Sequence, residues 1–185
     1  MQNIWTRIET WLKQHVPEMA VNLLPGAVDT EIKEAETALG VTFTNDFKAC
    51  YRIHNGQHEL ATPMVGEWQL LSLQDMVLDW KRMKELYDAG KLNSDETITL
   101  SGPVRADWWN PKWIGFATNG GGDLFCLDFD PASGGKKGQV VTFWHMTPNR
   151  EVLASSLQEW LENFFNDLKK GKYRIEDDEL VRVKA

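Results

Sequence analysis

Cys50 and His54 stand four residues apart in a stretch that also carries Phe47 and Tyr51. On a helix that spacing brings a thiol and an imidazole to one face, the minimum equipment for nucleophilic catalysis. The same face is apolar, however, and a free cysteine in such a setting is ordinarily buried and inert. A second grouping, Cys126 with His145 and Asp128, offers the thiol, base and orienting carboxylate of a hydrolase. Cys126 lies between Phe125 and Leu127 in a run of strand length, a poor place for a reactive thiolate. Neither cysteine carries the local signature of a cysteine protease. The hydrolase therefore stands as an alternative, and the expectation is a protein that is not an enzyme.

Other residue groups are equally unpersuasive as chemistry. Asn119-Gly120-Gly121-Gly122-Asp123 and Gly134-Gly135-Lys136-Lys137-Gly138 are rich enough in glycine to bare backbone N–H groups to an anion. They match neither the dinucleotide fingerprint nor the P-loop, and no helix follows either, so both read as hairpin turns. Asp123, Asp128 and Asp130 lack the alternate-position spacing of a calcium loop. His54, His58 and His145 have no second histidine at ligand spacing on a clear helix face, so no metal or cofactor is expected.

The remaining oddity is Trp108-Trp109-Asn110-Pro111-Lys112-Trp113, three of the chain's nine tryptophans within six positions. Tryptophan beside a loop can anchor a protein partner, because Trp, Tyr and Arg dominate interface hot spots. The plain structural alternative is that these rings close the core where the 91–107 loop meets a sheet.

Composition narrows the field. The chain has 185 residues, 42% of them hydrophobic, and 20 Lys+Arg against 27 Asp+Glu, for a net charge of −7. That length suits one domain, taken as 1–185. The charge argues against a nucleic-acid partner, since each neutralised phosphate needs a Lys or Arg, and it favours a basic protein partner. No basic-then-apolar leader opens the sequence, and no run approaches the ~18 apolar residues of a membrane span. The expectation is a cytoplasmic protein without membrane contact.

The elements that must position these residues follow from periodicity. Ile4, Trp5, Ile8, Trp11 and Leu12 form one helical stripe that Pro17 ends. A second helix is expected from Asp29 as cap to Gly40, and a third from Thr44 or Asn45 to Asn55-Gly56. Residues 57–66 read as a polar loop and 67–71 as a strand. Ser72-Leu73-Gln74-Asp75 and Ser156-Leu157-Gln158-Glu159 are capping-box matches opening two further helices. Between them, 113–117, 124–127 and 140–144 are apolar runs joined by short glycine turns, which implies antiparallel neighbours. Residues 91–107 read as a loop, and Glu176-Asp177-Asp178-Glu179 as a solvated acidic tail. Helices, then an antiparallel meander, then a closing helix make an α+β fold with a central, mainly antiparallel sheet.

Three segments, in order, resemble the SUKH superfamily in its Smi/Knr-type branch, that of the fungal cell-wall-synthesis regulator. The first is Leu24-Pro25-Gly26-Ala27 with Glu31-Ile32, Leu39-Gly40-Val41, Phe47 to Tyr51 and His54-Asn55-Gly56. The second is Trp109 to Ala117 with Gly121-Gly122-Asp123, Leu127-Asp128 and Gly138-Gln139-Val140. The third is Val152-Leu153-Ala154 with Ser156 and Glu159-Trp160-Leu161. The resemblance covers about residues 20–175; Thr44 departs from it, standing where such proteins often carry proline. It implies an α+β binding module with no catalytic residues to transfer. In that reading Pro25, Gly26, Asn55, Gly56, Gly121, Gly122, Asp123 and Asp128 are structural. It also implies an immunity-type role, binding and neutralising a basic toxin domain such as a nuclease, or else a regulatory or scaffold role. The surfaces expected to meet the partner are Trp108, Trp109 and Asn110, together with His58 and Glu59 in the 57–66 loop.

Overall fold

The computed structural model describes residues 1–59, 61–92 and 96–183. Leu60 of the expected polar loop, and residues 93–95 of the expected 91–107 loop, lie outside the described residues. Among the described residues the order is α1 (Gln2–His15), α2 (Pro17–Val21), α3 (Asp29–Leu39), α4 (Asn45–Tyr51), β1 (Gln69–Leu70), α5 (Leu73–Asp88) and β2 (Thr99–Ser101). Then come β3 (Trp113–Thr118), β4 (Leu124–Asp128), β5 (Gln139–Phe143), β6 (Asn149–Ala154), α6 (Leu157–Lys169), β7 (Tyr173–Glu176) and β8 (Glu179–Arg182). Helices and strands are thus segregated, an α+β arrangement.

The sheet order is β1-β3-β4-β5-β6-β2. Its centre, β3 to β6, is the antiparallel meander that the short glycine turns require. β2 pairs with β6 in parallel, Leu100 opposite Arg150, so the sheet is mixed at that edge. The strand expected over 67–71 shortens to two residues against Ala117 and Thr118 of β3.

Strand alternation puts two cores on the two faces. Ile114, Phe116, Leu127 and Val140 meet α1, α3, α4 and α6 on one side. Leu124, Cys126, Val141 and Phe143 meet Met83 of α5, Trp109 and Trp113 on the other. Both faces of β4 are therefore covered, as its unbroken apolar run requires.

Caps set several helix limits. Ser72 Oγ accepts from Asp75 N and Ser156 Oγ from Glu159 N, both at 3.1 Å. At α3 the cap position falls one residue early, at Val28, whose N–H donates to Glu31 Oε2 at 2.8 Å. Asp29 instead takes Arg52 Nε at 2.8 Å. α4 stops at Tyr51, short of Asn55-Gly56, because Ile53 N and His54 N both turn back to Cys50 O.

The acidic stretch 176–179 is not a tail. β7 and β8 form an antiparallel hairpin, and Asp177 and Asp178 are its turn, with φ of 49° and 63°. Two consecutive left-handed residues match the right-handed twist of a two-stranded ribbon, and aspartate tolerates that region. No helix among the described residues is long and apolar enough to cross a membrane.

Candidate functional site

The expected surface residues part company. Trp109 is 2% exposed and packs edge-on against Tyr87, ring centroids 5.7 Å apart. Asn110 is buried as well. Its Nδ2 donates to Asp107 Oδ2 at 2.7 Å and its Oδ1 accepts from Lys112 N at 2.8 Å, which makes it the pivot of the turn. Trp108 is half-buried, under the guanidinium of Arg150 at 5.3 Å from its ring. Trp109 and Asn110 therefore present no surface to a partner. His58 and Glu59 stay exposed while their backbone is tied down, His58 N donating to Asn22 O and His58 O accepting from Gln69 Nε2.

Arg150 is the residue that sequence reasoning missed. It points inward from β6 and is completely buried. Its Nη1 donates to the carbonyls of Trp144, Thr147 and Asn149, and its Nη2 to that of Trp108. Phe143 lies beneath the guanidinium at 5.0 Å. No carboxylate bonds it among the described residues, and burial lowers its pKa to about 10. A buried cation costs free energy unless dipoles surround it, and here four carbonyls and two ring faces do so.

The catalytic groupings do not assemble. Cys50 accepts Trp5 Nε1 at 3.2 Å, and burial pushes its thiol up to about 12. Both ring nitrogens of His54 are engaged elsewhere, with Leu24 O at 3.1 Å and Glu9 Oε1 at 3.0 Å. Cys126 is sealed among apolar side chains, its pKa raised by burial. His145 bonds Asp123, with Nδ1 to Oδ1 at 2.8 Å, rather than Asp128. Asp128 is buried, takes Asp130 N at 2.9 Å and Gln139 Nε2 at 3.0 Å, and is raised by burial despite those bonds. No hydrogen bond joins Cys126, His145 and Asp128 among the described residues.

The residues expected to be structural hold loops. A Cβ on Gly26 would stand 1.9 Å from Arg52 O, and one on Gly56, at φ +77°, 2.5 Å from Leu71 O. Pro25 O accepts Asn55 N, and Asn55 Oδ1 accepts Leu73 N. The 119–123 turn closes by Asn119 Oδ1 accepting Gly121 N and by Asn119 Nδ2 donating to Asp123. A Cβ on Gly122, at φ +103°, would meet the His145 ring at 3.2 Å.

What remains accessible is the flank where α3 and α5 lie side by side. Leu78 on α5 is 57% exposed and lines two adjoining clefts of about 530 and 330 Å³. The first has an apolar floor of Leu24, Ala35, Ala38 and Val77 under Glu31 and Glu34. The second is bounded by Glu59, Asp75 and Asp79. Five carboxylates thus surround Leu78 against two cations, Lys81 and Arg82, and Arg82 is paired to Asp79 at 2.6 Å. Glu34 and Glu59 have no ion pair or hydrogen bond among the described residues. Their charge comes from positions 31 to 79, which only the fold brings together.

A larger cleft, about 600 Å³, lies between the sheet and α6 and is rich in rings. Those rings are already engaged. Trp68 stacks on Phe125 at 3.7 Å and Trp160 meets Phe116 edge-on, while Asp167 pairs with both Lys172 and Arg182. Trp68, Trp160 and Tyr173 are more than nine-tenths buried, so the cleft is the seam along which the β7–β8 hairpin docks.

Residues 26–163 match the family model described as SMI1 / KNR4 family (SUKH-1). The chain is 25% identical over 210 residues to the cell wall assembly regulator SMI1 of Saccharomyces cerevisiae, covering 94% of this chain and 41% of that protein. It is 26% identical over 188 residues to the cell wall biosynthesis/cell cycle regulator smi1 of Schizosaccharomyces pombe, covering 95% and 37%. With the glucan synthesis regulatory protein of Neurospora crassa it shares 22% identity over 209 residues, covering 94% and 39%. The chain thus spans about two-fifths of the length of these relatives.

Proposed function

Because the chain belongs to the SMI1 / KNR4 family (SUKH-1), we propose that it is a non-catalytic interaction module of the regulatory type, docking a basic protein segment on its α3–α5 flank. The names of the fungal relatives support regulation over catalysis. The observation that carries the surface is exposed Leu78 over an apolar floor, ringed by carboxylates from three separate parts of the chain. An apolar centre supplies affinity, and an acidic rim in which Glu34 and Glu59 are unpaired among the described residues steers a basic partner and rejects acidic ones.

A cytoplasmic immunity role is the second reading, favoured by the net charge of −7 and by the same flank. A basic toxin domain would be held there and its active site blocked. The enzyme reading is tested by thiol labelling. Native Cys50 and Cys126 should resist a thiol reagent and react only on unfolding, and rapid labelling of Cys126 in the folded protein would restore the hydrolase.

The surface is tested by crosslinking partners in cells to the wild-type protein and to Leu78→Asp and Glu59→Lys variants of unchanged thermal midpoint. The expected result is a partner crosslinked through a Lys/Arg-rich segment and lost in both variants. Equal crosslinking in all three proteins removes the flank from consideration. Co-expression with a basic toxin domain separates the two readings: restored growth favours immunity, unrestored growth favours regulation.

A further inference from the structure

The glycine-rich 134–138 turn lacks the pattern of a phosphate loop, yet the fold gives its lysine company. A cleft of about 360 Å³ at the C-terminal end of α3 is lined by Lys33, Lys112 and Lys137, with Thr37, Thr42 and Phe129. The three ammonium groups come from α3, from the turn after Trp109 and from the β4–β5 connection, three separate parts of the chain. Their neighbour Lys136 does not line the cleft.

Each negative group facing this cleft is already answered. Glu36 is almost wholly buried and accepts Lys48 Nζ at 2.7 Å and Phe43 N at 2.8 Å, with Lys33 Nζ farther off at 3.8 Å. These bonds outweigh burial and hold its carboxyl below the usual range, so it stays ionised and matched. The Gly40 carbonyl, at the negative end of the α3 dipole, accepts Lys112 Nζ at 2.7 Å. Among the described residues Lys137 Nζ has only the face of Phe129, 5.7 Å from its centroid. Like charges in one cleft repel each other, and in a chain of net charge −7 they form a local positive field that an anion would relieve.

We propose that this cleft binds a phosphate monoester, its phosphoryl oxygens on the three lysines and its organic stem against Phe129. Lysine acts on phosphate as a compact point charge, and a phosphoryl group offers three strong acceptor oxygens at nearly two negative charges. The Thr42 hydroxyl adds a neutral donor, that of Thr37 being committed to Lys33 O at 2.8 Å, and Phe129, half-buried against Phe43, gives the stem an apolar wall. The inference is independent of the α3–α5 flank and of the identity of any partner docked there.

Amide chemical shifts of the whole chain, titrated with phenyl phosphate, test it. Saturable shifts are expected at Thr37, Gly40, Thr42 and Phe129, with affinity falling about tenfold in Lys137→Gln and again in Lys33→Gln, as each loses one charge-assisted bond. Lys137→Arg, which keeps the charge, should retain binding. Benzoate and phenol are the controls. Shifts that are absent, that persist in the Lys33→Gln/Lys137→Gln double variant, or that benzoate reproduces at equal affinity would each overturn the proposal. A phosphotyrosine peptide bound more tightly than phenyl phosphate assigns the ester to a protein partner; equal affinity assigns it to a small molecule.

Discussion

The turn at 108–110 and the segment at 57–59 have similar credentials as sequences: both are polar-flanked and loop-like, and both carry side chains suited to an interface. The fold treats them oppositely. Trp109 and Asn110 are drawn inward, with Trp108 roofed by Arg150, whereas His58 and Glu59 stay in solvent. The difference lies in what stands behind each backbone. Behind Trp108 is a buried guanidinium that needs its carbonyl, while behind His58 are Asn22 O and the Gln69 side chain, which bind backbone only. Aromatic content therefore does not decide which loop can meet a partner; the polar groups beneath it do.

The sharpest way to break this contrast is Trp109→Ala. Removing a fully packed ring should cost about 3–5 kcal/mol in denaturant unfolding. A loss below about 1 kcal/mol would return Trp109 to the list of surface anchors. Arg150→Met comes next, with an expected loss of about 2–4 kcal/mol, because it removes a fully buried guanidinium and the four hydrogen bonds it donates to the carbonyls of Trp108, Trp144, Thr147 and Asn149.

A smaller effect is expected beside His145. Burial pushes the Asp123 carboxyl up, but the N–H and ring of His145 and the Asn119 amide outweigh it and hold the carboxyl below its ordinary 3.8. A depressed carboxylate contributes stability that is complete above that ordinary value and is lost as pH falls through the lower folded value. Asp123→Asn should therefore flatten the acid limb of the stability–pH profile while leaving its neutral shape alone. An unchanged acid limb would show that the turn does not depend on this charge. Smallest of all is Glu59→Lys, within about 0.5 kcal/mol of wild type on stability, with its effect confined to partner binding.

Much of the fold was legible locally. The N-cap serines Ser72 and Ser156 and the glycine turns between the β3–β5 runs are short-range signals, and the structure follows them. β6 left no such trace. It alternates poorly, and its inward member is Arg150, a residue type that ordinarily marks a solvent face. β2 is three exposed residues that exist as a strand only because β6 lies alongside. The acidic 176–179 stretch looked like a tail because charge density is visible in sequence, whereas the pairing of Tyr173 with Arg182 is not.

The sequence by itself determined the helices other than α2, which starts at the proline expected to end the first helix, together with the antiparallel centre of the sheet, the family and the sign of the overall charge, because each rests on neighbours in the chain or on composition. The distribution of that charge was decided only by tertiary structure. Glu31, Glu34, Glu59, Asp75 and Asp79 gather on one flank, while Lys33, Lys112 and Lys137 gather in one cleft. Coulomb interactions act through space with little regard for chain order, so a net −7 can hold both an acidic face and a cationic cleft.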